Sequence, residues 1–587
     1  MTFRLSTLVR GTCLTLSIAP AIRAQVLEVR PATPPPATAS IEMLRTAQEG
    51  FETFRRRNAP VFQVRTGPDR CDEHVGRFCY WYEEDSPEPP NESDRIREAR
   101  DRLIEQIDSV GTLFPNERWV SGQRVRYLTE AGRYADAVRA AQACTSREWW
   151  CFALRGFAFH VAGRFEEADS AYEAGIRLMT PAERCNWRDM KLLLDDQQLR
   201  WYREQNCDRR LPVEQRVWWL SRPMLSGKGN DARTEYYSRL MMAHFVEDAP
   251  SAYAMGFDFD ERELTLRYGW PIAWTRNPAG LLSSGGEASL VGHERTPAHP
   301  FLPVRGVLDN PASSDSAGWR SKGIPPVRAR YAPVYAKRLL PLEHQSALFR
   351  RGDSALVLAA WSVAKDSELS AAVDAHELTA AMVLTRGEEK DVVVVRNNSP
   401  QRNGTFSATS AWGSMLMSVE IGSAKRHTLA RARYGVRRSD ESQSRIQVSD
   451  LVLFDPYEGT PRSAEEVLEH MRTSERVPVG ARVGIFWEAY NTDPTGEGIE
   501  VNITVAPENK SGGGWFSRGW RALRRVREAQ PVTVGMRDVS ARGSPVTARA
   551  VEVDLATLQP GRYLLQLELT AGSNVVRVGR PITVIAP

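Results

Sequence analysis

Residues 256–271 read Gly256-Phe257-Asp258-Phe259-Asp260-Glu261-Arg262-Glu263-Leu264-Thr265-Leu266-Arg267-Tyr268-Gly269-Trp270-Pro271. Leu264, Leu266 and Tyr268 alternate with Thr265 and Arg267, which is the period of a half-buried strand. Gly269 and Pro271 supply the turn chemistry that ends it. Asp258, Asp260, Glu261 and Glu263 share the stretch with aromatics. Paired acids beside aromatic rings are what sugar-handling sites use for hydrolysis. In an extended segment, a spacing of two puts Asp258 and Asp260 on one face and Glu261 and Glu263 on the other. A solvated edge fits that spacing equally well. So does a packing role, with an aromatic plug, a turn and Asp260 capping it, because Gly and Pro at turns answer backbone needs.

Upstream stand Trp218-Trp219-Leu220-Ser221-Arg222-Pro223, then an amphipathic run from Asn230 to Arg239. This order, followed by Gly256, Asp260, Arg267, Tyr268, Gly269 and Pro271, resembles the GWxTD-domain family of secreted bacterial proteins, which has no established activity. Phe257 stands for the family Trp, Phe259 for its Thr, Glu261 for its Arg, Arg262 for its second Gly and Ile272 for its final Asp. The aromatic at 257 keeps a packing role, whereas the other changes remove polar groups from any site built on them. The resemblance covers 212–587 and implies export and β modules after the signature, but no reaction. The candidate binding residues it leaves are Gly256, Phe257, Asp258, Asp260, Glu261, Tyr268 and Trp270.

The first 24 residues read as a signal peptide. Arg4 and Arg10 precede a short apolar run with Leu14, Leu16, Ile18 and Ala19, and Ala24 offers a small residue before a cut at Gln25. The run falls short of the about 20 apolar residues a membrane span needs. Arg10 stands where a lipobox wants an aliphatic residue, so Cys13 does not read as a lipid anchor. Release to the periplasm or beyond follows, with no membrane span.

Export agrees with the cysteines. Without Cys13 there remain Cys71, Cys79, Cys144, Cys151, Cys185 and Cys207, an even number in an exported chain. Neighbour pairing gives 71–79, 144–151 and 185–207. Cys71, His74 and Cys79 offer three ligands where structural zinc takes four, so no metal is expected. Charge excludes nucleic acid as a partner. Removing the three signal Arg from 77 leaves 74 basic against 73 acidic residues. The one dense basic run, Arg518 to Arg527, reads as a solvated face.

Composition divides the chain further. Residues 25–40 form a Pro/Ala-rich leader. Residues 41–210 form a disulfide-containing helical domain. Within 116–180, Gly132-Arg133-Tyr134-x-x-Ala137 recurs as Gly163-Arg164-Phe165-x-x-Ala168. Gly156, Phe159, Gly163, Ala168 and Tyr172 follow the small/large alternation of tetratricopeptide repeats, which this segment resembles. The first copy is degenerate, with Val125 and Leu128 in place of a small residue and an aromatic. Two repeats are fewer than the about three an independent solenoid needs, which favours a scaffold over an open peptide groove. Residues 211–280 hold the GWxTD-like segment, and 281–330 read as an irregular linker rich in Gly, Ser, Pro and His.

From 331 to 456, runs such as Ser354–Val363, Leu378–Leu384, Gly404–Trp412 and Arg445–Phe454 are separated by turn residues. A helical connector at 457–477 opens with Ser463 and Glu466 at capping-box spacing. More strands follow over 478–587, where Tyr563, Leu565, Leu567 and Leu569 share one face. The fold class is multidomain α+β: an α-helical, repeat-like N-terminal half followed by two antiparallel β-sandwich-like domains.

No H-E-x-x-H, G-x-S-x-G, P-loop or dinucleotide fingerprint occurs. His293, Glu294 and His299 share a loop, and His376-Glu377 lies between β runs; both read as polar connections. No cofactor is expected. The leading function is a non-catalytic exported envelope protein mediating protein–protein interaction or scaffolding. The alternative is an envelope glycan binder or hydrolase using the acidic–aromatic cluster at 256–271.

Overall fold

The computed structural model describes residues 37–62, 73–80, 88–254, 256–277, 289–296, 298–319, 329–388, 392–436, 446–491, 499–508, 532–538 and 546–586. The signal segment, the leader up to residue 36, Cys71, Ser283–Gly286 and the Arg518–Arg527 run lie outside the described residues. Helices dominate up to Tyr268 and sheets dominate after Arg338, so the chain is a mixed α+β protein.

The helical body contains α1 (Ala37–Asn58), the hairpin β1 (Glu73–Val75) and β2 (Phe78–Tyr80), α2 (Asp94–Gly111), α3 (Arg118–Glu130), α4 (Tyr134–Ala143), α5 (Trp149–Val161) and α6 (Phe165–Leu178). It continues with α7 (Pro181–Arg188), α8 (Asp196–Arg203), α9 (Cys207–Ser221), α10 (Asp231–Glu247) and α11 (Phe259–Tyr268). Helix α1 thus begins inside the expected leader.

The sequence repeat is a repeated helical hairpin. Gly132 and Gly163 end α3 and α5 at φ +71 and +74, the left-handed region that glycine enters without a Cβ penalty. Arg133 N donates to Leu128 O and Arg164 N to Phe159 O, both at 2.9 Å. These are the closing bonds of a Schellman motif in each hairpin. A Cβ on Gly156 would lie 2.8 Å from the Tyr172 ring, so that glycine lets α5 and α6 approach. Cys144–Cys151 ties α4 to α5, and Cys185–Cys207 ties α7 to α9. Cys79 is also disulfide-bonded.

Helix α10 is buried along almost its whole length. It packs on α3, α5 and α6. Gln123 Nε2 donates to Phe245 O at 2.6 Å, Tyr172 and Ser238 share a hydrogen bond of 2.9 Å, and Arg233 pairs with Asp169 and Glu173. The repeat face that would form a peptide groove is therefore covered by the chain's own helix.

The stretch expected to be a strand is α11. Asp258 caps it, its Oδ1 accepting from Asp260 N and Glu261 N, and the acids of the first turn face the positive end of the helix. The alternation that suggested a strand has a different cause. Leu264 and Tyr268, one helical turn apart, pack on Val75 of the β1–β2 hairpin, while Leu266 enters the main helical core. Burial on two sides of a helix gives the same spacing as burial on one side of a strand.

The described residues of 281–330 form elements that the segment's composition did not suggest. It contributes β4 (Ser289–His293) to a hairpin with β3 (Ala273–Asn277), pairs β5 (His299–Pro300) with β6 (Arg330–Tyr331), and forms α12 (Arg305–Asp309). Phe301, Leu302, Leu308 and Ala329 pack into the helical core. Strands of two residues are too short to leave a period.

The remaining elements run β7 (Arg338–Pro341), β8 (Glu343–Arg351), β9 (Ser354–Ser362), α13 (Ser367–Asp374), β10 (Thr379–Thr385), β11 (Val393–Asn397), β12 (Asn403–Ala411), β13 (Met415–Ser423) and β14 (Thr428–Val436). Then come β15 (Gln447–Val448), β16 (Val452–Phe454), α14 (Ala464–His470), β17 (Arg476–Pro478), β18 (Arg482–Tyr490), β19 (Ile499–Pro507), β20 (Val532–Asp538), β21 (Val546–Asp554), β22 (Gly561–Ala571) and β23 (Asn574–Ile585). Ser463 caps α14, accepting from Glu466 N at 3.2 Å, as its spacing predicted.

The larger sheets are β11-β10-β13-β14-β7, β12-β9-β8, β15-β18-β16 with β21 also on β18, and β17-β23-β22-β19-β20. Pairing is antiparallel except for β7 on β14 and β17 on β23, which are parallel. Strand β9 shows how the sheets meet. Val357, Ala359 and Trp361 join a core with Met382 and Met417, whereas Leu356, Leu358 and Ala360 join a core with Phe454 and Phe486. Strand β18 repeats the device, with Ile485 and Trp487 facing Leu565 and Leu567 while Phe486 faces back. Each middle sheet is thus apolar on both faces, and the β region forms one continuous stack.

The helical body is fastened to the first sheet by a buried polar knot. Glu420 accepts from Leu225 N, Ser226 N and Oγ, Ser418 Oγ and Arg433 Nη2. Arg433 also donates to Leu220 O, Arg222 O and Pro223 O. Burial acts to raise the Glu420 carboxyl, but Arg433 and these donors hold it below its ordinary value.

Candidate functional site

Helix α11 and the turns at its ends hold all seven candidate residues, but they do not converge on one cleft. Asp258, beyond capping the helix, pairs with Arg77 of the β1–β2 turn, and Asp260 accepts from Arg77 N at 3.1 Å. A Cβ on Gly76 would fall 1.9 Å from the Asp260 carboxyl carbon, so this turn fits over Asp260 only with glycine there. Tyr268 donates to Glu73 at 2.7 Å and stacks on Tyr80 with ring centroids 3.6 Å apart. Arg267 pairs with Glu73 and Glu263. Trp270 is core, tilted against Phe157 at 5.7 Å.

Gly269 ends α11 at φ +103, ψ −173, a region essentially restricted to glycine. Beneath it lies Arg239 of α10. Its Nη1 donates to Leu266 O and Arg267 O at 3.1 and 2.9 Å, capping α11, and its Nη2 donates to Arg330 O at 2.6 Å. Arg239 Nε in turn meets Glu235 at 2.8 Å, and Glu235 meets His160 Nε2 at 2.7 Å. Thr234 Oγ1 holds His160 Nδ1 at 2.9 Å. Burial acts to raise Glu235, but Arg239 and His160 drive it far below the carboxylate range. The space left beside these groups is about 20 Å³, room for one water-sized molecule. This chain locks α5, α10 and α11 together. Arg239 stood in the sequence as the end of the Asn230 run, with no local sign of its role.

Glu261 differs from its neighbours. It is 6% exposed, and its Oε2 has no hydrogen-bond partner. Burial pushes its carboxyl up to about 7. Ser251 lies close enough to oppose that rise, yet Ser251 Oγ also lacks a partner with hydrogen-bond geometry. Ser251 lines a cavity of about 330 Å³ together with Glu49, Glu52, Arg56, Gly256 and Phe257. Two of the candidate residues thus border an open space, and a third stands behind Ser251.

A second concavity of about 310 Å³ opens between α8, α9 and α12, lined by Met190, Leu194, Trp201, Val213, Val217 and Leu308, with Arg216 and Arg305 also on its wall. Trp201 is 37% exposed there. Nothing in the sequence reading singled it out, because the lining comes from separated helices.

The loop histidines do not assemble. His293 on β4 meets Thr275 Oγ1 at 2.7 Å, and His299 on β5 meets Lys337 O at 2.9 Å. Among the described residues no group of three or more His, Cys, Asp or Glu is placed to hold a metal ion, and no helix is long and apolar enough to cross a membrane.

No family model and no curated protein matches the chain. Similar solved structures include the PmoD soluble domain from Methylocystis sp. ATCC 49242 (Rockwell), at 11% identity and TM-score 0.15, with 25% of this chain and 95% of that one covered. They also include Escherichia coli alpha-2-macroglobulin activated by porcine elastase, at 10% identity and TM-score 0.15, with 42% of this chain and 24% of that one covered. At that score neither likeness bears on fold or function.

Proposed function

We propose that this is an exported, non-catalytic protein of the bacterial cell envelope that mediates protein–protein interaction or scaffolding, in line with its GWxTD-like residues. The observation that carries this reading is the apolar groove at Trp201 on an otherwise interlocked body. A half-exposed Trp over an apolar floor, with Arg on the wall, is the anatomy of an interface hot spot. Three further observations support it. Asp258, Asp260 and Glu263 of the signature are committed to holding α11 and its hairpin, and the repeat face is filled by α10. The disulfides fit an oxidising compartment. In the same reading, the paired hairpins are tetratricopeptide-like repeats and the facing sheets are two β-sandwiches fused through β9 and β18.

The glycan alternative keeps Glu261 but loses its pair, because Arg77 engages Asp258 and Asp260, and hydrolysis takes two acids. Cross-linked capture from the host envelope with Trp201→Ala as the comparison tests the interaction reading. Partners that the variant retains in full would remove the groove from the account.

A further inference from the structure

The Trp201 groove carries a charge that a purely apolar docking role leaves unexplained. Trp201, Val213 and Leu308 give it an apolar surface. Two guanidinium groups stand on its wall, Arg216 of α9 and Arg305 of α12, and both are half-exposed. An arginine beside apolar surface is often no more than its solvated rim. Its hydrogen bonds decide between a rim and a reader.

Neither guanidinium is saturated. Among the described residues Arg305 meets only Asp309, at 3.6 Å, which is too long for a hydrogen bond. Arg216 spends Nη1 on Leu308 O at 3.3 Å and stands 3.9 Å from Glu388, again too far. Arg239, by contrast, spends its donors on three carbonyls and on Glu235. A guanidinium has five N–H donors, so Arg216 and Arg305 keep most of theirs. Leu308 shares the single turn of α12 with Arg305, so the two cations flank one place on the wall. Asp309 is the one acid lining the groove, against these two bases.

The complementary occupant is apolar where it meets Trp201 and negative where it meets the arginines. Size narrows it further. The volume of about 310 Å³ lies near the lower bound of about 300 Å³ for ligand pockets. That admits one or two large side chains, and not the paired acyl chains of a membrane lipid. On a protein, the anion that an arginine fork reads bidentately is a carboxylate.

We propose that the Trp201 groove docks an acidic, apolar peptide segment of a partner protein. An apolar side chain of the segment packs on Trp201, Val213 and Leu308, and a neighbouring carboxylate reaches Arg216 and Arg305. An exposed pair as long as Arg305–Asp309 holds weakly, so the partner's carboxylate displaces Asp309 at little cost. The inference rests on the groove being a docking surface and adds the chemistry of what docks there.

The test labels the full mature chain with 5-fluorotryptophan and follows the Trp201 fluorine resonance, assigned by its loss in Trp201→Phe. The probes are acetyl-Leu-Leu-Glu-Glu-amide, the same peptide with Gln or with Lys in place of both Glu, acetyl-Gly-Gly-Glu-Glu-amide, and octanoate. The acidic leucine peptide should bind about fivefold more tightly than its Gln form, with the Lys form weakest and the glycine peptide silent. Arg216→Gln and Arg305→Gln should each cut that preference to roughly twofold. Both should leave the affinity for the Gln form unchanged, which a distorted groove would not. Equal affinity for the three leucine peptides overturns the proposal and leaves the docking surface standing. Absence of saturable binding by every leucine peptide up to about 10 mM overturns both. Tighter binding of octanoate than of the acidic peptide assigns the groove to a small apolar acid, and a Trp201 shift on dilution of the protein alone assigns it to a second copy. Either result overturns the peptide.

Discussion

Replacing Glu261 with Gln should stabilise the helical body, and by an amount that depends on pH. The Glu261 carboxyl is raised from 4.5 to about 7, with burial as the largest cause. A raised acid holds more protons folded than unfolded between those values. Its folded state is therefore undisturbed below about pH 4.5, loses stability as pH climbs through about 7, and carries the full cost above it. A shift of about 2.5 pH units is worth about 3 kcal/mol. At 6% exposure, solvent screening removes little of that. Gln is neutral throughout, so the variant should exceed the wild type by up to about 3 kcal/mol at pH 8, and by almost nothing at pH 4.5.

Urea unfolding followed by tryptophan fluorescence, at both pH values, measures the difference. Glu294 is also raised to about 7 by burial, and burial raises Glu52, Asp169, Glu214, Asp231 and Asp450 as well, so the wild-type curve mixes several groups. The difference between variant and wild type cancels the others. A stability difference of equal size at both pH values would place the effect in packing and rule out the buried charge as its cause.

Gly269→Ala forces a Cβ into the φ +103, ψ −173 conformation and should cost about 1–3 kcal/mol, read as a lower urea midpoint and earlier proteolysis near α11. Gly156→Ala drives a methyl to 2.8 Å from the Tyr172 ring and should also cost about 1–3 kcal/mol, whereas Gly132→Ala, with nothing within 4 Å, should cost only the left-handed penalty of about 1–2 kcal/mol. Glu420→Gln leaves Arg433 buried without its counter-charge, so unfolding of the helical body and the first sheet should weaken by about 3–5 kcal/mol, monitored by hydrogen exchange in β13 and α9.

Local chemistry was legible where one segment carries all of it. The Gly132 and Gly163 hairpins, the pairs Cys144–Cys151 and Cys185–Cys207, and the Ser463 cap each depend on residues close in sequence. Helix α11 was misread because its apolar residues face two partners, the β1–β2 hairpin and the helical core, and two-sided burial imitates period two. The sheet stack left a trace that a two-module reading does not use: β9 is apolar almost without interruption, as strands buried on both faces are. The candidate site was half legible. Gly256 and Phe257 border the cavity by α1, but Ser251 and Glu49 on its wall come from other elements and carry no motif. Trp201 had no local signal at all.

Whether the Trp201 groove is a docking surface is read from quantitative cross-linking capture of the mature protein from its host's envelope, run side by side with Trp201→Ala. A protein that docks through the Trp201 groove yields a small reproducible set of protein partners that the variant loses while its unfolding midpoint is unchanged. Recovery of the same set by the variant, or of glycan fragments and no protein, would contradict it.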